Sequence, residues 1–182
     1  MPFPTCEDGY NKRKLTLFAS QVVDDFKSLP AGPKKVVELT EDSPTIVLDN
    51  LDLANWKHIT IYFLGVAGDY SNAVLYFNGD QQLTHYYIQF LIAGGTNIYA
   101  SRMNQPIGPP PGPDATQWVM KVLFSGGRVR MWVTGDNNSP SEATMGIGVI
   151  TYTPTVDNLT SITFYSGNDA YPYKAGTRVE VW

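Results

Sequence analysis

Nine short runs of β-branched and aromatic residues, each closed by Gly, Pro, Asn or Asp, limit what this chain can become more than anything else in it. They span His58–Val66, Ala73–Phe77, His85–Ala93, Asn97–Met103, Gln117–Phe124, Arg128–Thr134, Met145–Tyr152, Ser161–Tyr165 and Thr177–Trp182. Such side chains suit a pleated surface, and many short strands separated by turn signals predict a sandwich or a barrel. A chain of 182 residues fits one core and buries roughly two-thirds of its extended surface, so it needs no staple. The expected fold is an all-β antiparallel sandwich, jelly-roll or lectin-like, over residues 34–182.

Two hairpins are nearly spelled out. Ala93-Gly-Gly-Thr96 joins one pair of runs and Ser125-Gly-Gly-Arg128 another, and tandem glycines supply the positive φ of tight hairpin turns. In the second pair, alternation separates Val119, Lys121, Leu123 and Val129, Met131, Val133 from Met120, Val122, Phe124 and Arg128, Arg130, Trp132. It likewise places Arg128, Arg130 and Trp132 together, which predicts a partly wet face of the sheet.

Residues 1–33 read differently. Phe18, Val22, Phe26 and Leu29 recur at helical spacing, and Ser28-Leu-Pro-Ala-Gly-Pro33 ends the pattern. The expectation is an N-terminal arm carrying one short helix. A lone helix of this length is marginal in water, so its apolar face must dock, and an exchanged arm holding a homo-oligomer together is favoured. Gln105-Pro-Ile-Gly-Pro-Pro-Pro-Gly-Pro113 is a stiff loop, since its prolines remove ladder donors.

Charge narrows the partners. Lys and Arg number 13 against 17 Asp and Glu, a net of −4. A nucleic-acid binder concentrates positive charge, so that class is not expected. Met1-Pro-Phe-Pro-Thr-Cys-Glu-Asp lacks the charged and apolar regions of a secretory signal. No window reaches the roughly 20 apolar residues of a membrane span. Cys6 is the only cysteine, which excludes an intrachain disulfide and points to a reducing compartment. A soluble chain, cytoplasmic or associated with a virion or inclusion body, is the expectation.

The motifs of catalysis are missing. There is no nucleophile elbow, no HExxH and no phosphate-binding glycine loop, because both glycine pairs lie between strands. His58 and His85 stand alone, and the acidic pairs Asp24-Asp25 and Glu41-Asp42 fall in the arm or in turns. No catalytic residue, metal ligand or cofactor is predicted, and the chain is not expected to be an enzyme. Asn158-Leu-Thr160 matches the glycosylation acceptor pattern, read as chance in the absence of a leader.

What remains favours binding. Aromatic rings stack on the C–H faces of sugars while amides and carboxylates reach hydroxyls. Asn97, Tyr99 and Arg102 follow a hairpin turn; Tyr70, Asp136, Asn137, Asn138, Tyr171 and Tyr173 fall in loops. These are the candidate ligand residues, for a carbohydrate or another small surface ligand. The alternative is a self-assembling structural protein, such as a viral surface, capsid or inclusion-body component.

From about His58 onward the order of features resembles the farnesoic acid O-methyltransferase-like domain. The similar stretches are Tyr87-Ile-Gln-Phe-Leu-Ile-Ala-Gly-Gly-Thr-Asn97 with Arg102 following, Trp118-Val-Met-Lys-Val-Leu-Phe-Ser-Gly-Gly-Arg-Val-Arg-Met-Trp-Val-Thr-Gly135, and Tyr152-Thr-Pro-Thr-Val-Asp157. The resemblance implies a β-sandwich whose glycine hairpin, with the Asn and Arg after it, binds a ligand. Methyl transfer is not carried over, since nothing here builds a site for its cofactor.

Overall fold

A computed structural model describes residues 32–66, 73–94, 97–103, 116–137 and 144–182. The expected helix of the arm lies outside them. The unit Lys34–Trp182 is a sandwich of two antiparallel sheets, neither closed into a barrel. All nine predicted runs are strands. In chain order the elements are β1 (Lys35–Glu38), β2 (Thr45–Leu48), α1 (Leu53–Trp56), β3 (His58–Gly65), β4 (Val74–Phe77), a 3₁₀ turn (Leu83–His85), β5 (Tyr86–Gly94), β6 (Asn97–Met103), β7 (Thr116–Ser125), β8 (Arg128–Asn137), β9 (Thr144–Tyr152), β10 (Ile162–Tyr165) and β11 (Arg178–Val181). The larger sheet runs β1-β11-β3-β7-β8-β9-β5-β6 and the smaller β2-β10-β4.

The elements missed in the sequence are short. β1 and β2 have four residues each and sit at sheet edges, without the aromatic residues that mark the equally short β4 and β10. The four-residue α1 follows a turn and stops at Lys57, whose φ of 66° breaks the helix.

Each long strand shows one face to the core. In β3, Ile59, Ile61 and Phe63 are buried, while His58, Tyr62 and Leu64 are exposed. Met120, Val122 and Phe124 of β7 face the same core as Val129, Met131 and Val133 of β8. The smaller sheet closes over this face with Ile46, Leu48, Leu75, Phe77, Ile162 and Phe164. Rings meet edge-on across the sheets: Phe63 to Phe164 at 5.5 Å and Phe77 to Tyr152 at 5.6 Å, each worth about 0.5–1.5 kcal/mol beyond burial.

Both glycine hairpins form. β5 pairs with β6 from Gly94 opposite Asn97. β7 pairs with β8 from Ser125 opposite Arg128, and the two-residue turn between them has φ of 57° at Gly126 and 73° at Gly127. Such a turn matches the twist of its strands. Gly127 is required twice over, because a Cβ there would lie 2.6 Å from Thr155 Cγ2.

Candidate ligand-binding face

The outward face of the larger sheet carries the arrangement most like a binding surface. Three rows cross it in register. Tyr62 of β3 faces Val119, then Thr134, Ile147 and Leu91; Thr60 leads through Lys121, Trp132 and Val149 to Gln89; His58 leads through Leu123, Arg130 and Thr151 to Tyr87. Antiparallel pairing forces this, since every second residue of neighbouring strands must share a face. Trp132 is 42% exposed, Tyr87 48% and Tyr62 41%, values that leave a ring face open to solvent.

Tyr87, Gln89, Val149 and Thr151 line a dent of about 150 Å³, and Trp132 stands opposite Val149 in register. Lys121, Arg128 and Arg130 are exposed on the same face. None of the three has an ion-pair partner among the described residues, whereas Lys35, Lys174 and Arg178 pair with Asp49, Asp42 and both Glu38 and Glu180. The outward positions of β3, β7, β8, β9 and β5 hold no carboxylate among the described side chains.

A polar cluster caps the far end of β4. The Asp80 carboxylate meets His85 Nδ1 at 2.6 Å, accepts from the Tyr152 hydroxyl at 2.7 Å, and accepts from the Gln82 amide at 2.9 Å. Partial burial raises its pKa, but these bonds outweigh that and leave it below the ordinary aspartate value. Tyr86, wholly buried, donates to the Asp80 carbonyl at 2.6 Å and accepts from the Phe77 amide at 3.0 Å. Among the described residues no hydroxyl or thiol nucleophile bonds the His85 ring, and the cluster holds the turn before β5. No three His, Cys, Asp or Glu side chains among those residues stand together as metal ligands, and no helix there is long and apolar enough to cross a membrane.

On the inward face, Trp118 of β7 lies over Gly135 of the adjacent strand β8 and reaches Gly146 of β9 beyond it, where any Cβ would meet the indole. Its Nε1 and the Thr116 Oγ1 are buried without hydrogen-bond partners.

The predicted site residues scatter. Tyr70 and Asn138 lie outside the described residues, and for Asn97, Tyr99, Arg102, Asp136 and Asn137 only the backbone is described. Arg102 stands opposite Gln89 in register, beside the dent, whereas Tyr99 stands opposite Ile92 and Asn97 opposite Gly94, at positions of the other parity. Asp136 and Asn137 are not in a loop: β8 runs through them, pairing with Gln117 and Thr116 of β7 and with Met145 and Thr144 of β9. Bonding on both sides overrides the weak strand preference of Asp and Asn. Tyr171 is exposed in the connection before β11, where its amide donates to Asn168 O at 3.0 Å.

Tyr173 is a correction. It is 1% exposed, its backbone bridges Ser43, and its ring lies 5.5 Å from Phe63. Burial pushes its hydroxyl pKa well up. It is core, not surface. Asn158 is similarly engaged: its Nδ2 donates to Asp52 at 3.0 Å and its Oδ1 accepts from the Ala54 amide at 2.7 Å, bonds that a glycan on Nδ2 would break.

Sequence reasoning missed Tyr62, Tyr87, Gln89 and Thr151. The available signal was parity, each ring having a polar residue two positions away on its own strand: Thr60 by Tyr62, Gln89 by Tyr87 and Arg130 by Trp132. Compared with known proteins, the chain matches no family model and no curated protein.

Proposed function

We propose that the chain is a non-catalytic, lectin-like binding module that takes carbohydrate on the outward face of its larger sheet. The observation that supports this most is an open ring, Tyr87, lining a dent with an amide and a hydroxyl, Gln89 and Thr151, while a second open ring, Trp132, stands on the next strand opposite Val149 of the lining. Rings offer apolar area to sugar C–H faces, and the dent is smaller than the about 300–1,000 Å³ of enclosing small-molecule pockets. Contact is spread over a surface, so single sites are weak and gain from multivalency. Titration of the full chain against a glycan panel, read by Trp fluorescence and calorimetry, tests the reading. Quenching that Trp132→Ala abolishes is expected; no heat and no quenching at millimolar ligand would sink it.

Self-assembly is the second reading, in the manner of a viral surface, capsid or inclusion-body component. Leu91, Leu123 and Ile147 of the same face, with Leu64 at its margin, are 39–47% exposed, and apolar patches of this kind often mark protein contacts. Light scattering of the full chain beside one lacking residues 1–33 decides whether the arm holds an oligomer. An oligomer lost on truncation favours assembly through the arm, and a monomer in both removes this reading.

A further inference from the structure

Resting on the carbohydrate reading of the outward face, we propose that its ligand is an extended, linear, anionic polysaccharide laid along a diagonal of three rings. Tyr62 is on β3, Trp132 two strands away on β8, and Tyr87 two strands further on β5. Their rows are successive: Tyr62 shares its row with Thr134, Trp132 shares its row with Gln89, and Tyr87 shares its row with Arg130. Each ring is therefore two strands across and two residues along from the last. With strands ~4.8 Å apart and ~3.4 Å per residue, each step is about 12 Å, and the rings span about 24 Å in one line.

Equal steps along a straight line fit a ligand that is itself periodic. A terminal sugar would engage one ring and leave the others without a partner. The dent of about 150 Å³ is lined by Tyr87 and by Val149, which stands opposite Trp132, so a chain running between these two platforms meets Gln89 and Thr151.

Charge supplies the second complement. Lys121, Arg130 and Arg128 all lie on one side of the line, exposed and without ion-pair partners among the described residues. The other lysines and arginines with described side chains are engaged: Lys34 over the Trp56 ring, Lys57 on the Ala54 carbonyl, and Lys35, Lys174 and Arg178 in ion pairs. In a chain of net charge −4, the cations without ion-pair partners among the described side chains gather beside the rings. Carboxylate or sulfate groups along one edge of a glycan chain would meet them; the described outward carboxylates, Glu180 opposite Tyr62 and Glu38 beyond it, lie at the far margin of the sheet and are both paired with Arg178.

The test is calorimetric titration of the full chain with a length series of polyuronate oligomers, a linear sulfated glycan, a neutral β-glucan and a single-stranded oligonucleotide. Affinity for at least one acidic glycan is expected to rise with length until the chain covers about 24 Å, and to fall with added salt. Tyr62→Ala should weaken the longest oligomers about tenfold while leaving the shortest unchanged, and Arg130→Gln should reduce the salt dependence. These surface variants are checked for unaltered thermal unfolding. Affinity independent of length, or indifference to Tyr62→Ala, overturns the linear ligand but leaves carbohydrate binding standing. Equal affinity for the neutral glucan overturns the anionic ligand, and tighter binding of the oligonucleotide overturns the polysaccharide. Absence of binding to every glycan fails both this inference and the reading beneath it.

Discussion

Phe63 and Tyr62 are neighbours on β3, as Tyr86 and Tyr87 are on β5, yet the two members of each pair live in opposite environments. Phe63 and Tyr86 are fully buried, while Tyr62 and Tyr87 are 41% and 48% exposed. Phe63 is held edge-on against Phe164 and Tyr173, Tyr86 lies tilted against Phe77 and Tyr152, and the Tyr86 hydroxyl is bonded on both sides. The outward rings stand over a surface of Thr, Gln, Lys and Arg. One residue of offset along a strand thus separates a ring that holds the fold together from a ring left free to meet a ligand.

The sharpest way to break that comparison is to truncate both neighbours. Phe63→Ala should cost about 3–5 kcal/mol in urea unfolding, since it empties the contact with Phe164 and Tyr173, whereas Tyr62→Ala should change stability by no more than about 0.5 kcal/mol. Equal losses would mean that the outward ring is packed. Next comes the glycine shelf beneath Trp118. Gly135→Ala drives a methyl into the indole and should cost about 1–3 kcal/mol, visible as a lower urea midpoint. Gly146→Ala, where a Cβ would sit 3.3 Å from the ring, should cost less.

Tyr86→Phe should destabilise by about 1–3 kcal/mol, because the buried Phe77 amide loses its acceptor; Tyr87→Phe should be silent in the same unfolding assay. Acid sharpens the contrast further. The Asp80 carboxylate titrates below its ordinary value of 3.8, so the folded state holds fewer protons there than the unfolded chain. Its contribution is fully present above that value and is lost as pH falls through it towards the folded pKa. Urea midpoints from pH 7 to 3 should therefore drop below about pH 4, less so in Asp80→Asn. Smallest in stability is Trp132→Ala, within about 0.5 kcal/mol, although it should remove glycan-induced quenching.

Legibility in the sequence followed the range of the interactions involved. Strands of seven residues or more declared themselves by alternation, and Gly126-Gly127 declared its turn by the φ it must adopt. β1 and β2 did not, because they lack the aromatic residues that mark the equally short β4 and β10. The wet face was half legible. Alternation grouped Arg128, Arg130 and Trp132 within their strand, but set them with Met120, Val122 and Phe124, which the register places on the core face, Lys121 and Leu123 being their true neighbours. Tyr173 was misplaced because its neighbours are polar and turn-forming, and only the bridge to Ser43 turns its ring inward. Asp136 and Asn137 looked like a loop until partners on both sides were known.

By itself, then, the sequence determined nine of the eleven described strands, the two glycine hairpins, the alternation within the long strands and the scarcity of positive charge, all properties of residues close together along the chain. Only the tertiary structure decided that β3 lies beside β7, that β9 lies between β8 and β5, and which parity faces the smaller sheet. The line of Tyr62, Trp132 and Tyr87 depends on the register of five strands at once. Registers between strands distant in sequence are set by mutual burial of their apolar faces, and no local pattern encodes that.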